Sequence, residues 1–144
     1  VLAVDTNILV YAHRREASEH AKAAAVVRSL AEGRRFWAVP WPCVYEFFSV
    51  VTNPRIWARN ASTPKQAWTQ LEAWLGSPTL RLLGETEQFA TQLARFLMLP
   101  RVRGGVVHDA RVAALCVAHG VEALLTRDRD FSAFSELRTR NPLA

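Results

Sequence analysis

The sequence predicts an α/β fold: a parallel sheet of four or five strands, sandwiched between helices in three layers. Short apolar runs at residues 1–4, 36–39, 80–83 and 123–125 alternate with helical patterns. Apart from Arg81 in the third, those runs are apolar throughout, as strands covered on both faces are. A chain of 144 residues, 50% hydrophobic and 22% charged, has the size and composition of one domain with a real core.

The first run, 1–4, is read as a buried strand ending at Asp5, and residues 8–13 carry a short helical pattern. A helix follows over 18–32, with Ala21, Ala24, Ala25 and Val26 as apolar positions, Ser18 as N-cap and Gly33 as stop. The second strand, 36–39, ends at Pro40. Pro42 suits the first turn of a helix that runs to about Thr52, where Asn53 and Pro54 break it.

Thr63 and Pro64 open the next helix, which ends at Gly76, and 80–83 is the third strand. Phe89, Leu93, Phe96 and Leu97 fall at helical spacing within 86–99, and Pro100 ends that helix. After a loop at 101–105, a helix over 106–119 closes at Gly120. The fourth strand, 123–125, stops at Thr126, a turn of helix covers 131–134, and Asn141 and Pro142 mark the tail. No repeat, linker or low-complexity tract interrupts the chain, so residues 1–144 read as a single domain.

Charge points to a polyanion. The net charge is +5 with a pI near 10, and sixteen of the eighteen cations are Arg, whose planar fork fits phosphate. Nucleic acid is one reading of this bias; an Arg-favouring base composition is the other. No apolar run is long enough to span a bilayer, and Asp5 comes too early for a signal peptide to precede it. The expected location is the cytoplasm. Cys43 and Cys116 are far apart in apolar surroundings and read as buried, reduced thiols. His13, His20, His108 and His119 are isolated and read as structural. There is no zinc spacing, Walker loop or dinucleotide fingerprint.

Only four Asp occur, at 5, 109, 128 and 130, and all lie near the ends of predicted elements. In an open parallel sheet, ligands bind at the carboxyl ends of the strands. Asp5 ends the first strand and Asp128 follows the fourth; the two carboxylates meet if those strands are neighbours. On the helix after Pro42, Val44, Phe47, Phe48 and Val51 face the core, whereas Glu46 shares another face with Ser49 and Asn53. Glu46 reads either as a solvated side chain or as one that needs a partner or metal. Asp109, in a first helical turn, is a site carboxylate, a helix-dipole partner, or an ion-pair partner of Arg111 or Arg103. Asp130 is placed to N-cap the turn that follows it, which leaves Asp128 for the site. Arg111, Arg127 and Arg129 are candidate substrate contacts or plain surface charges. Clustered carboxylates repel, and a hard divalent cation relieves that repulsion. An acidic pocket on a basic protein suits a phosphate-bearing substrate.

These residues resemble the PIN-domain family, and within it the VapC-type toxins of bacterial toxin–antitoxin pairs. Val4-Asp5-Thr6-Asn7 with Ile8-Leu9-Val10-Tyr11-Ala12 resembles the opening motif. Tyr45-Glu46-Phe47 with Thr52-Asn53-Pro54-Arg55 resembles the second, and Val107-His108-Asp109-Ala110 with Ala113-Ala114-Leu115 the third. The run from Leu125 to Phe131 resembles the fourth, and Asn141-Pro142-Leu143 the tail. The resemblance implies a PIN-like sandwich and a Mg2+- or Mn2+-dependent endoribonuclease that inhibits translation or growth. It implies a homodimer neutralised by a VapB-type antitoxin. Carried over, Asp5, Glu46, Asp109 and Asp128 match the acidic, metal-binding quartet, with Asp130 a further possible ligand. Thr6, Asn7 and Thr126 match polar neighbours that orient carboxylates or water. The expected reaction is in-line attack of water on phosphorus, leaving a 5′-phosphate and a 3′-hydroxyl. Trp57, Trp68 and Trp74 carry no family motif and read as packing residues ahead of base-stacking ones.

Two other readings start from the same residues. A haloacid-dehalogenase-like phosphatase also uses an Asp after strand one, but needs a second Asp two residues on, where Asn7 stands. A non-catalytic receiver-like or RNA-binding module would keep the fold; a receiver needs a Lys near the sheet's end, and Lys22 and Lys65 are poorly placed for that.

Overall fold

The computed structural model describes all 144 residues. Five parallel strands form one sheet: β1 (Leu2–Val4), β2 (Trp37–Pro40), β3 (Leu80–Leu83), β4 (Ala123–Leu125) and β5 (Thr139–Arg140). Their order across the sheet is β3-β2-β1-β4-β5. β2 is buried along its whole length and β4 likewise, in keeping with their unbroken apolar sequence.

The helices are α1 (Thr6–His13), α2 (His20–Glu32), α3 (Trp41–Val51), α4 (Pro54–Trp57), α5 (Pro64–Leu75), α6 (Glu87–Leu97) and α7 (Val106–Ala118). Parallel strands need crossovers, and right-handed ones place helices on opposite faces when the chain reverses direction across the sheet. The chain moves outward from β1 to β3, then returns past β1 to β4. Accordingly α1 packs on α2 and α3, and α3 on α5, whereas α6 packs on α7. Between the layers lies one core that includes Trp37, Phe47, Phe131 and Phe134, all fully buried. None of the helices is long and apolar enough to cross a membrane.

Local chemistry explains most boundaries. α1 begins at Thr6, two residues before its apolar pattern, because the Asp5 carboxylate accepts the Thr6 N–H at 2.8 Å and caps it. Thr63 and Gln66 close a reciprocal capping box at the start of α5, with Pro64 in the first turn. Gly120, at φ +67° after α7, occupies the left-handed position that ends many helices.

Several boundaries differ from expectation. Ser18 does not cap α2: the N-cap is Glu19, without a side-chain bond, and the Ser18 hydroxyl donates to Glu19 instead. Pro40 belongs to β2, where a strand's end tolerates a missing donor. Asn53 does more than break α3; its Oδ1 accepts the Arg55 N–H and opens α4. β5, two exposed polar residues, has no apolar signal to read. Cys43 and Cys116 are both free and buried, and burial pushes the Cys116 thiol up to about 12.

Candidate metal centre

β1 and β4 pair in parallel, with Val4 opposite Leu125. Chain order reverses between them, so this is the switch point at which an open sheet forms its ligand crevice. The pairing runs one step further, through an Asp5 N–H to Leu125 carbonyl bond of 3.0 Å. Asp5 and Thr126 thus leave the sheet side by side, and the Thr126 hydroxyl donates to Asp5 Oδ2 at 2.7 Å.

Asp5 is 6% exposed and held on both oxygens. Oδ1 accepts the Thr6 N–H and takes a weak contact from Cys43 Sγ at 3.5 Å. Oδ2 also accepts from Asn7 Nδ2 at 3.3 Å. Asn7 reaches across to Thr126 Oγ1 at 3.1 Å, and its Oδ1 accepts the Arg127 N–H at 3.1 Å. Thr126 Oγ1 in turn accepts the Asp128 N–H at 3.0 Å. From the other side, the Thr6 hydroxyl donates to Glu46 Oε2 at 3.2 Å. Thr6, Asn7 and Thr126 therefore tie the residues of three chain segments into one polar network. Burial raises the Asp5 carboxyl above its ordinary range; hydrogen bonds from Thr126, Thr6 and Cys43 oppose this, and the Glu46 charge adds to it.

Asp109 enters from the first turn of α7 and is half-buried. Its carboxyl is pushed up to about 7, first by burial and then by the charges of Asp128, Asp5, Asp130 and Glu46. Carboxylate oxygens of Asp109, Asp128 and Asp130 come within 4.8 Å of one another. Asp5, Glu46, Asp109 and Asp128 line a single cleft of about 300 Å³. The sheet and helices thus bring the quartet together, with Asp130 at its exposed margin.

This donor set fits a hard divalent cation. Its ligands are all carboxylate oxygens, as Mg2+ and Mn2+ favour. Asp109 meets four like-charged neighbours with no Arg or Lys pair of its own, and near neutral pH only a proton or a cation can relieve that repulsion.

One assignment reverses. Asp128, not Asp130, caps the following 3₁₀ turn, its Oδ1 accepting the Asp130 N–H at 2.8 Å. The cap leaves its second oxygen for the cleft. Of the three Arg candidates, Arg127 is committed elsewhere, paired with Glu19 and donating to the Tyr11 hydroxyl. Arg111 lies 3.9 Å from Glu85 and lines a groove of about 450 Å³ that shares Glu46, His108 and Asp109 with the cleft. Arg129 is exposed, without an ion-pair partner.

Three histidines have structural bonds: His13 to Gln70 and Ser62, His20 to the Tyr11 carbonyl, and His119 to the Gly84 carbonyl. His108 departs from that expectation. It is exposed on the wall of both cavities; its place beside Asp109 was the available signal. Trp57 and Tyr11 also line the cleft. Nothing in their sequence context marks Trp57, because only the turn after Asn53 brings it there.

The PIN-domain family model matches residues 2–137. The VapC ribonuclease Mb2897 of Mycobacterium bovis is 32% identical over 143 residues, covering 99% of this chain and 96% of the relative. Ribonuclease VapC48 of Mycobacterium tuberculosis is 30% identical over 140 residues, covering 97% and 96%. Among solved structures, VapBC2 from Rickettsia felis, bound to a DNA fragment from its promoter, superposes with TM-score 0.71 at 17% identity, covering 97% of each chain. VapC20 of Mycobacterium tuberculosis, described as a sarcin–ricin loop cleaving toxin, gives 0.67 at 20% identity, covering 92% of this chain and 94% of that one.

Proposed function

Because the chain belongs to the PIN-domain family, we propose that it is a divalent-metal-dependent endoribonuclease, the toxin of a toxin–antitoxin pair. The observation that carries this reading is the convergence of Asp5, Glu46, Asp109 and Asp128 in one cleft at the switch point of the sheet. The relatives that match along nearly its whole length are named ribonucleases, which favours RNA as the polymer.

In this reading Asp5, Glu46, Asp109 and Asp128 hold Mg2+ or Mn2+, with Asp130 available at the edge. Such an ion, when bound, polarises phosphoryl oxygens and makes water more acidic. The chain's own residues supply the rest. Thr126 and Asn7 hold Asp5 in one orientation, and Thr6 does the same for Glu46. Outer contacts of this kind fix ligand direction and are commonly worth 10–100-fold in metal affinity or activity. Without a cation Asp109 holds a proton to near neutrality, and a bound cation would take that proton's place in relieving the repulsion. Arg111, on the adjoining groove, is placed to bind the strand's phosphates.

The same proposal includes a VapB-type antitoxin, a cytoplasmic location and a homodimer. The exposed, stacked pair Trp41 and Tyr45 is an apolar surface available to a second copy. Incubating total RNA with the protein and Mg2+, then identifying product ends, tests the reaction. Fragments with 5′-phosphate and 3′-hydroxyl ends that vanish in chelator are expected. Cyclic phosphate ends, or cleavage untouched by chelator, would contradict it.

A further inference from the structure

The cleft that holds the carboxylates is also lined by uncharged side chains, among them Trp57, Tyr11, Val10 and Val50. Metal and phosphate chemistry does not call for an aromatic wall, yet this one is built with care. Trp57 Nε1 donates to the Val50 carbonyl at 2.8 Å. The Arg14 guanidinium lies over one face of the ring, 4.0 Å from its centroid. Arg14 is itself 5% exposed. It donates to the Asn60 carbonyl at 2.7 Å and to Ser62 Oγ at 3.3 Å, and pairs with Glu16. Its Nε has no hydrogen-bond partner, so a buried, incompletely satisfied cation is kept behind this ring. Ala58, the next residue, takes φ +47°, a left-handed backbone that a non-glycine residue adopts only where its surroundings impose it.

Tyr11 is fixed in a similar way. Its hydroxyl accepts from Arg127 Nη1 at 3.0 Å, and Arg127 is tied to Glu19. Both rings are anchored on one side and line the cleft on the other. Pre-set aromatic surface beside phosphodiester chemistry matches the face of an unstacked base, which every nucleotide carries. The cleft, about 300 Å³, lies at the small end of ligand sites, which run to ~1,000 Å³, a size that suits one base.

We propose that these uncharged side chains receive a single unpaired nucleobase of the RNA strand, next to the scissile phosphate, with Trp57 as its stacking wall. The proposal rests on the nuclease reading above. It makes the protein selective for strands that are single or locally opened at the cut, because a base inside a duplex cannot reach the wall.

The test uses a short RNA that the protein cleaves, compared with the same strand carrying an abasic ribose at each position flanking the cut. At one flanking position, loss of the base is expected to lower wild-type kcat/KM by about 5–150-fold, the range of base–aromatic stacking. Trp57→Ala should lose a similar factor on the intact strand and no longer distinguish the abasic one; Trp57→Phe should keep most of both. In the Asp5→Asn protein, 5-iodouridine at that position should cross-link under ultraviolet light to the peptide holding Trp57 or that holding Tyr11. A wild type that cleaves every abasic strand as fast as the intact one overturns the subsite and leaves the nuclease reading standing, and this arm needs no variant to fold. Cross-links confined to other peptides, or a Trp57→Ala protein that still discriminates like wild type, overturn it equally. A wild type that cleaves no RNA overturns both readings.

Discussion

The Thr126 hydroxyl donates to Asp5 Oδ2 at 2.7 Å, joining residues 121 positions apart at the ends of two neighbouring strands. Thr126 Oγ1 also accepts the Asp128 N–H, so one side chain orients the Asp5 carboxylate and fixes the backbone that carries Asp128. Thr126→Val keeps the shape and removes the hydroxyl. Deleting a buried hydrogen bond to a charged group should cost about 1.5–3 kcal/mol, and RNA cleavage should fall about 10–100-fold. Chemical denaturation and cleavage rates measure the two effects. A variant with wild-type cleavage would remove Thr126 from the site.

The metal-free protein should lose stability as pH rises through neutrality. Asp109 holds its proton to about 7 in the folded state, against 3.8 for the free group. The folded protein therefore binds more protons across this range. Its stability contribution is complete below about 4 and is lost as pH climbs through 7. His13 acts in the opposite sense, because burial lowers it below 6.5, so the clean window is pH 6.5–8. Melting temperature should drop across that window and flatten in Asp109→Asn. Mg2+ should restore more stability at pH 8 than at pH 6.5. A wild-type melting temperature that rises across the window would contradict the electrostatics of the cluster.

Arg111 and Arg127 should separate in nucleic-acid binding. Arg111 lines the groove beside Glu46, while Arg127 is held by Glu19 and Tyr11. Each phosphate contact on a single strand contributes about 0.7 to the slope of log affinity against log salt. Arg111→Ala should reduce that slope by about this amount, and Arg127→Ala should leave it unchanged. Fluorescence anisotropy with a labelled strand at several salt concentrations gives both slopes. Equal reductions would mean that the Arg127–Glu19 pair opens to bind RNA.

Phe47 should be the costliest position on α3. It is fully buried and packs edge-on against Trp74 and His13, one residue from Glu46. Phe47→Ala should destabilise the fold by about 3–5 kcal/mol, measured by denaturant titration. A loss below about 1 kcal/mol would show that neighbouring side chains refill the space.

What the sequence made legible follows from which forces are local. Unbroken apolar runs marked β1, β2 and β4, because covering both faces of a strand leaves that trace, while β3, at the sheet's edge, still read as a strand despite its exposed Arg81. Thr63 and Pro64 announced their own helix start. Asp5 was readable as a site residue because the end of a strand is a position in the sequence. The cap on the last 3₁₀ turn was not: Asp128 and Asp130 compete for one role, and hydrogen-bond geometry chose Asp128. β5 escaped notice since its two exposed residues are held by backbone pairing with β4 alone. Trp57 could not be placed because the cleft it lines exists only after distant segments pack, and His108 had only its place beside Asp109 to mark it.

Cleavage of RNA by wild type and by Asp5→Asn, each with Mg2+ and with excess chelator, tests the central assignment most directly. The substitution keeps the size of a side chain that Thr6, Asn7 and Thr126 surround, so thermal unfolding should stay cooperative. Wild type with Mg2+ should cut, and the other three combinations should leave the RNA intact. Undiminished cutting by folded Asp5→Asn, or by wild type in chelator, would contradict a carboxylate-held metal as the seat of the chemistry.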